Sequence, residues 1–487
     1  MLCVVIKGPS FSAVCQQIKA LPKETDLIEL RLDYFESLDA DDLRQIRALF
    51  PIPMIFTLRK RTQGGFFLGS EENRLREILR LIKLGPEYLD LESDVPLEFV
   101  EKIRRYYPRI KLIISYHDFK GTPTDLSAIY KKMKLHPAHH YKMAMKANNT
   151  LDALHLLHFK KSAGRDLNVM SMSYNEEPTR VLGPILDLPI TYASLGETLT
   201  TAAGQLTAKS LLETYSFKQI NPTTKIYGLI GDPVNKSISE HTHNALFRAL
   251  GINAIYIKLP VKASELQDFL RLAAELGLSG LSVTRPLKEA ILPFVLKRSE
   301  EVDRIGAVNT LQFAEEKVIG FNTDGVGALN AIERKRKVQG QTMIIVGTGG
   351  AGKAIAYEAC RRGAHVTIVS RTQEKLEHLM KGLCIRAQTL QDLNRYTHPY
   401  DILINCTPHP MPIPIDHVHS QALIMDINTM PKDTELLKAA KDRGSQIIYG
   451  YEMFIEQALV QFNLWFENQI ELTQARNILT KKAIEIL

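Results

Sequence analysis

Eight short apolar runs punctuate the first part of the chain: Leu2–Lys7, Leu27–Leu32, Met54–Arg59, Tyr88–Glu92, Leu112–Tyr116, Tyr141–Ala147, Leu167–Met172 and Ile190–Leu195. Between them, apolar positions recur every three to four residues. Runs this short predict strands and the intervening period predicts helices, so the pattern is that of eight β–α units closing into an N-terminal (β/α)8 barrel. Polar residues fall in or just after those runs, at Glu29, Arg31, Arg59, His117 and Lys142. A barrel keeps its chemistry at these strand ends. The polar stretch Lys218 to Thr224, containing Asn221-Pro222, then gives way to a fresh strand, Ile226–Ile230. Beyond it strands and helices alternate in a different register, and a glycine-rich turn follows the strand Thr342–Val346. This second half predicts a split α/β unit. The pattern divides the chain into a barrel over 1–215, a linker over 216–224 and the α/β unit beyond it. The two halves share no evident motif, which argues against duplication.

A length of 487 residues exceeds what one core supports, and 45% hydrophobic with 24% charged residues is ordinary for a globular chain. No apolar run approaches the roughly 20 residues a membrane span needs. The segment Met1 to Lys7 reads as a strand rather than a signal peptide, so a cytoplasmic location is expected. Five cysteines, Cys3, Cys15, Cys360, Cys384 and Cys406, form no CxxC pair and no metal-ligand spacing. Neither disulfides nor a metal site is expected. The net charge of +7 includes one short basic cluster, Arg334 to Lys337, which reads as a solvated surface and not as a nucleic-acid interface.

Within Tyr141–Lys146, alternation puts Lys142, Ala144 and Lys146 on one face. A lysine buried inside a barrel loses hydration, its pKa moves from about 10.4 toward 7 or 8, and its amine can attack a ketone. The plainer reading is a lysine snorkelling at a strand end. The neighbouring run ends Ser115-Tyr116-His117-Asp118-Phe119, offering an imidazole one strand away as a proton shuttle. At this point the chain resembles type I 3-dehydroquinate dehydratases. The likeness extends through Glu29-Leu30-Arg31-Leu32-Asp33, Thr57-Leu58-Arg59, the His117 and Lys142 strands, Thr179-Arg180 and Ala203-Gly204-Gln205. It implies that Lys142 forms a Schiff base with the substrate ketone while His117 moves the proton. It also implies that Arg180 clamps the substrate carboxylate and that Glu29, Arg31, Arg59, Thr201 and Gln205 position the substrate. Three departures stand out: Gln63 replaces a family glutamate, Ser173 and Glu176 replace glycines, and Thr201 replaces a serine.

In the second half, Gly231 to Ser239 sets Ser237 and Ser239 in an extended loop before an amphipathic helix. Two alternate hydroxyls suit a carboxylate, and Ser239 equally suits a helix cap. His241 and His243 point to different helix faces, which argues against a shared metal. Further on come Gly280 to Lys288, Gly306 to Thr310 and Gly320 to Gly325. Lys288 and Asp324 together supply the cation and carboxylate that proton transfer at a secondary alcohol requires, although each alone also fits a turn. Gly347-Thr348-Gly349-Gly350-Ala351-Gly352 lies between a strand and a helix, the setting in which backbone N–H groups cradle a pyrophosphate. A second strand, His365–Val369, runs into Ser370-Arg371-Thr372, where an arginine favours the 2′-phosphate of NADP over NAD. These pieces resemble the shikimate dehydrogenase family, whose C-terminal signature is matched by Gly450 to Ala458. The resemblance implies substrate contacts from Ser237, Ser239, Thr284, Asn309, Asp324 and Gln457, with Lys288 and Asp324 as the catalytic pair. It assigns the cofactor to Gly347, Gly349, Gly350, Gly352, Ser370, Arg371 and Thr372, and implies a two-lobed unit: a substrate lobe over 225–325, a Rossmann nucleotide-binding lobe over 326–447, and C-terminal helices over 448–487 packing back on the substrate lobe. Departures are Ser282 for an asparagine, Asn405 to Pro410 in place of a glycine-containing loop, and Thr429 for a tyrosine.

The implied product of the first half, 3-dehydroshikimate, is the ketone the second half would reduce to shikimate. The partners expected are therefore small molecules. Two other readings remain at this point: a shikimate or quinate dehydrogenase with an inactive scaffold barrel, and a non-catalytic metabolite sensor.

Overall fold

The computed structural model describes residues 1–36, 39–173, 177–199, 205–314, 317–370, 385–389, 399–467 and 469–487. They form two compact units: Met1–Lys225 with Asn253–Pro260 and Asp268–Gly277, and Ile226–Ile252 with Val261–Gln267 and Leu278–Leu487.

In the first unit the eight predicted strands form one parallel sheet: β1 (Leu2–Ile6), β2 (Leu27–Arg31), β3 (Met54–Thr57), β4 (Tyr88–Glu92), β5 (Lys111–Asp118), β6 (His140–Lys146), β7 (Leu167–Met172) and β8 (Thr191–Ser194). Their order is β7-β6-β5-β4-β3-β2-β1-β8. Between β7 and β8 a side chain takes part in closure, the Asn168 Oδ1 accepting from the Ile190 amide at 2.9 Å. Strand β5 runs past the predicted Tyr116 because His117 and Asp118 continue the ladder against Ala144 and Met145. Alternate residues point inward and change character along each strand. Leu27, Ile55, Tyr88 and Ile113 belong to an apolar interior cluster. Two residues later on the same face come Glu29, Thr57, Asp90 and Ser115, all buried. The interior is thus apolar at one end and polar at the other.

The second unit carries a mixed sheet and a parallel one. Its mixed sheet contains β9 (Lys225–Gly231), β11 (Leu278–Val283), β12 (Lys297–Arg298), β13 (Thr310–Ala314) and β14 (Lys317–Phe321), while β10 (Ala254–Pro260) belongs to the first unit. Here β13 runs antiparallel to both β11 and β14. The parallel sheet comprises β15 (Thr342–Val346), β16 (His365–Ser370), β17 (Ile385–Thr389), β18 (Ile402–Asn405), β19 (Leu423–Asp426) and β20 (Gln446–Ile448), in the order β17-β16-β15-β18-β19-β20. That is a doubly wound order, which opens a crevice at the strand ends between β15 and β18. Met343 and Ile345 face one core cluster and Ile344 and Val346 the other, so β15 is apolar on both faces.

Helix Asp324–Glu333 packs against helices Gly350–Arg361 and Gly450–Trp465. The approach is close because Gly327 has no side chain: a Cβ there would lie 2.5 Å from the Gln457 Cα. The last helix, Leu472–Ile486, packs on Ser239–Leu250. The Trp465 indole donates to the Leu311 carbonyl of β13 at 3.0 Å, fixing the C-terminal segment to the mixed sheet.

Candidate active sites

Lys142 is 4% exposed, and its Nζ stands 2.8 Å from Asp90 Oδ2 and 3.5 Å from Glu29 Oε1. The Tyr192 ring lies beneath it, 4.5 Å from Nζ to the centroid. Alternation on β6 does place this lysine on the interior face, and a buried ammonium requires such partners. Asp90 in turn accepts from Arg59 and from the Ser115 hydroxyl, each at 2.7 Å. Burial alone would raise the Asp90 carboxyl, but the charges of Arg59 and Lys142 and the hydrogen bonds from Lys142 and Ser115 outweigh it and hold it well below the usual carboxylate range. Arg59 also reaches Glu92 at 3.3 Å, and Glu92 meets Arg74 at 2.8 Å from the helix Glu71–Leu81 outside the barrel. Glu29 accepts from Thr57 at 2.7 Å.

His117 lies on β5, the strand paired with β6. Its Nδ1 is enclosed without a hydrogen-bond partner, and its ring stacks on Phe119. Burial first, then the cations Arg59 and Lys142, push the imidazole well below its ordinary pKa. A neutral imidazole is the form that accepts a proton. Arg180 is buried and donates to the Tyr192 carbonyl at 2.8 Å, so one residue of β8 both holds Arg180 and lies under Lys142. Arg31 forms a two-point pair with Asp33 at 2.9 and 2.8 Å, which ties it to the rim. Gln205 is buried beside β8, where its backbone carbonyl accepts from the Ser194 hydroxyl at 3.5 Å. Gln63 occupies the turn Arg61–Gln63 with its Oε1 enclosed and unpartnered. Ser173 adopts φ 80°, the left-handed region that favours the glycine it replaces. Thr201 and Glu176 fall outside the described residues.

In the second unit one cleft of about 1470 Å³ brings the two predicted sets together, with Ser237, Ser239, Thr284, Lys288, Asn309, Asp324 and Gln457 on its walls beside Gly347, Gly349, Gly350 and Ser370. Lys288 Nζ lies 2.5 Å from Asp324 Oδ2. The other oxygen of Asp324 accepts from Asn309 Nδ2 at 2.9 Å, so the carboxylate is held at both ends. Asn309 Nδ2 also faces Thr323 Oγ1 at 2.9 Å and Gln457 Oε1 at 3.3 Å. The Ser237 and Ser239 hydroxyls are 2.8 Å apart, and the Ser237 Oγ accepts from the Ser239 amide at 3.2 Å. Ser239 therefore begins its helix without itself forming a side-chain cap. His243 is buried against Phe454 and Phe462, while His241 is near the surface beside Glu240.

The glycine turn fits a dinucleotide. Gly352 sits against its own loop, where a Cβ would lie 2.0 Å from the Gly347 carbonyl, so the strand and helix Gly350–Arg361 close tightly. Gly349 has open space where its Cβ would be, leaving room for an anion over the helix start. Thr348 and Ser370 hydroxyls are 3.2 Å apart and join β16 to the turn. Arg371 and Thr372 lie outside the described residues. Of the departures, Ser282 donates to Gln461 at 2.8 Å, Asn405 accepts from Thr407 and donates to Asp426, and Thr429 lines the cleft.

Sequence reasoning left Asp90 and Glu92 unassigned and passed over Ser115, Arg74 and Tyr192. Asp90 and Glu92 had a usable signal: both lie on the interior face of β4 by the same alternation that selected Lys142. Arg74 had none, since the periodicity of its helix does not single out a residue that reaches Glu92.

Three consecutive stretches match family models: type I 3-dehydroquinase over residues 2–222, the shikimate dehydrogenase substrate binding domain over residues 229–311, and shikimate / quinate 5-dehydrogenase over residues 330–438. The shikimate biosynthesis protein AroDE of Chlamydia pneumoniae is 37% identical over 467 residues, covering 96% of this chain and 95% of that protein. The chloroplastic bifunctional 3-dehydroquinate dehydratase/shikimate dehydrogenase of Arabidopsis thaliana is 33% identical over 500 residues, covering 96% and 82% respectively. A crystal structure of a shikimate dehydrogenase in complex with NADP+ aligns at TM-score 0.50 and 33% identity, covering 54% of this chain and 97% of that one.

Proposed function

The chain belongs to the family of bifunctional 3-dehydroquinate dehydratase/shikimate dehydrogenases, and from that premise we propose that it converts 3-dehydroquinate to 3-dehydroshikimate in the barrel and reduces that ketone to shikimate with NADPH in the cleft. The observation that carries the reading is the pair of lysines, each against an aspartate: Lys142 at 2.8 Å from Asp90 and Lys288 at 2.5 Å from Asp324.

In the barrel, the Lys142 amine adds to the ketone carbon and the carbonyl oxygen leaves as water, giving an iminium. The iminium withdraws electrons from the adjacent C–H, and His117 takes that proton. The hydroxyl one carbon further on departs, receiving the proton back from His117, so one water is lost overall. Hydrolysis of the imine releases 3-dehydroshikimate and restores the lysine. Arg180 holds the substrate carboxylate, and Glu29, Arg31, Arg59, Thr201 and Gln205 position hydroxyls and charge. A scaffold or a sensor has no use for a lysine kept in this setting, which favours an active barrel.

In the cleft, NADPH when bound supplies the hydride that reduces the ketone. Lys288 delivers the proton to the ketone oxygen, and Asp324 orients the ammonium. Ser237, Ser239, Thr284, Asn309 and Gln457 hold the substrate. Gly347, Gly349, Gly350, Gly352, Ser370, Arg371 and Thr372 would hold the cofactor, Arg371 by pairing with its 2′-phosphate. Shikimate is preferred over quinate as product. The working division is a barrel to residue 215, a linker to 224, a shikimate lobe to 325, an NADP lobe to 447, and C-terminal helices beyond. A cytoplasmic location is supported by the free thiols of Cys3, Cys15 and Cys406. Among the described residues no helix is long and apolar enough to cross a membrane.

Treating the protein with 3-dehydroquinate and sodium borohydride tests the first half. A reduced adduct on the peptide containing Lys142 is expected, and an unmodified Lys142 peptide overturns the imine step.

A further inference from the structure

We propose that Gln461 is a positioning residue for the reduction, acting on the Lys288–Asp324 pair through a one-way hydrogen-bond relay that starts at Ser282; the proposal rests on reading this cleft as the dehydrogenase site. Gln461 lies one turn beyond Gln457 on the helix Gly450–Trp465 and is 1% exposed. Its Oε1 accepts from the Ser282 hydroxyl at 2.8 Å, and its Nε2 donates to the Thr310 hydroxyl at 2.8 Å.

A hydroxyl has one proton, so Thr310, having accepted from Gln461, is left to donate to Asn309 Oδ1, 2.8 Å away. The Thr323 amide donates to the same oxygen at 2.8 Å. These two donors fix the Asn309 amide with Nδ2 facing Asp324 Oδ1 at 2.9 Å. Turned over, the amide would set its oxygen against the Asp324 carboxylate and leave the Thr310 proton without its acceptor. Thr310, Asn309 and Thr323 are all buried, so water does not readily substitute for a missing link. Asp324 is thereby aimed at Lys288 before any substrate arrives, although Thr310 and Gln461 themselves lie two and three hydrogen bonds behind Asp324.

The test compares the full-length protein with Gln461→Leu, Thr310→Val and the double variant. Each single change is expected to lower kcat for reduction of 3-dehydroshikimate about tenfold while KM for NADPH and the dehydratase rate of the same chain stay at wild-type values. The double variant should fall no further than the worse single one, because both cut one relay, whereas independent packing damage would add. Should Gln461→Leu not fold, Gln461→Glu keeps the size but cannot donate to Thr310, and the same loss is expected. A folded variant whose kcat stays within about twofold of wild type, or singles whose losses add in the double, overturn the relay. Failure of the wild-type protein to reduce 3-dehydroshikimate would instead refute the dehydrogenase reading. The relay is then judged by the Asn309 side-chain amide resonances, which should move in Gln461→Leu; unmoved resonances overturn it.

Discussion

The barrel surrounds Lys142 with ionic groups, whereas the cleft sets Lys288 through neutral amides. Around Lys142 the carboxylates Glu29, Asp90 and Glu92 interleave with the cations Arg59 and Arg74, contributed by β2, the residues just after β3, β4 and a helix outside the barrel. Around Lys288 there is one carboxylate, and behind it Asn309, Thr323 and Gln457. The difference fits the tasks proposed for the two lysines. A covalent nucleophile needs a dry, closed setting, and ions withdrawn from water must be paired on several sides. A proton donor that serves a substrate and a large cofactor needs an open wall, and there a directional amide fixes geometry without adding charge.

The largest effects should separate the two sites completely. Lys142→Ala is expected to cut dehydration by more than about 10⁴-fold while reduction of added 3-dehydroshikimate persists. Parallel loss of both rates would break the comparison. Lys288→Met should do the converse, lowering reduction by about 10²–10⁴-fold with dehydration intact, as paired assays on one preparation would show. Gly352→Ala places a methyl against the Gly347 carbonyl and should weaken NADPH binding at least about tenfold in a fluorescence titration, a factor that corresponds to 1.4 kcal/mol.

Acid should distinguish the units more gently. Burial, only partly offset by hydrogen bonds with Gln461 and Ser239, pushes the His243 imidazole from 6.5 down to about 3. Between those values the unfolded chain binds a proton that the folded chain does not, so this group's contribution is intact above pH 6.5 and stability falls as pH drops below it, by about 1.4 kcal/mol per pH unit. His243→Leu should flatten that dependence in denaturant melts at pH 7 and 5; an unchanged slope counts against it. The smallest effect concerns Gln63, whose turn meets Phe119 through Gly64. His117 is held below its ordinary 6.5, so the acid limb of kcat/KM for dehydration should lie below that pH. Gln63→Glu adds a negative charge that favours the imidazolium and should move the limb upward by less than about one unit.

The same contrast explains what the sequence made legible. Barrel strands alternate with period 2, so Glu29, Arg31, Arg59, His117 and Lys142 were readable from their places at strand ends. Asp90 was harder, because its role depends on Arg59 and Lys142, which sit 31 and 52 residues away. In the cleft the motifs for Lys288, Asn309, Asp324 and Gln457 were recognisable one by one. Their convergence depends on helix packing at Gly327, which periodicity does not encode. Gln461 carried a faint signal, four residues after Gln457 on one helix face. The strands β17 to β20 were covered only by the general α/β expectation.

One chain is proposed to perform both reactions in sequence. Purified protein is incubated with 3-dehydroquinate, with and without NADPH, and the products are identified by mass spectrometry. Loss of one water without NADPH and conversion to shikimate with it are expected. Recovery of unchanged 3-dehydroquinate, while added 3-dehydroshikimate is still reduced, would contradict the proposal and leave the barrel a scaffold.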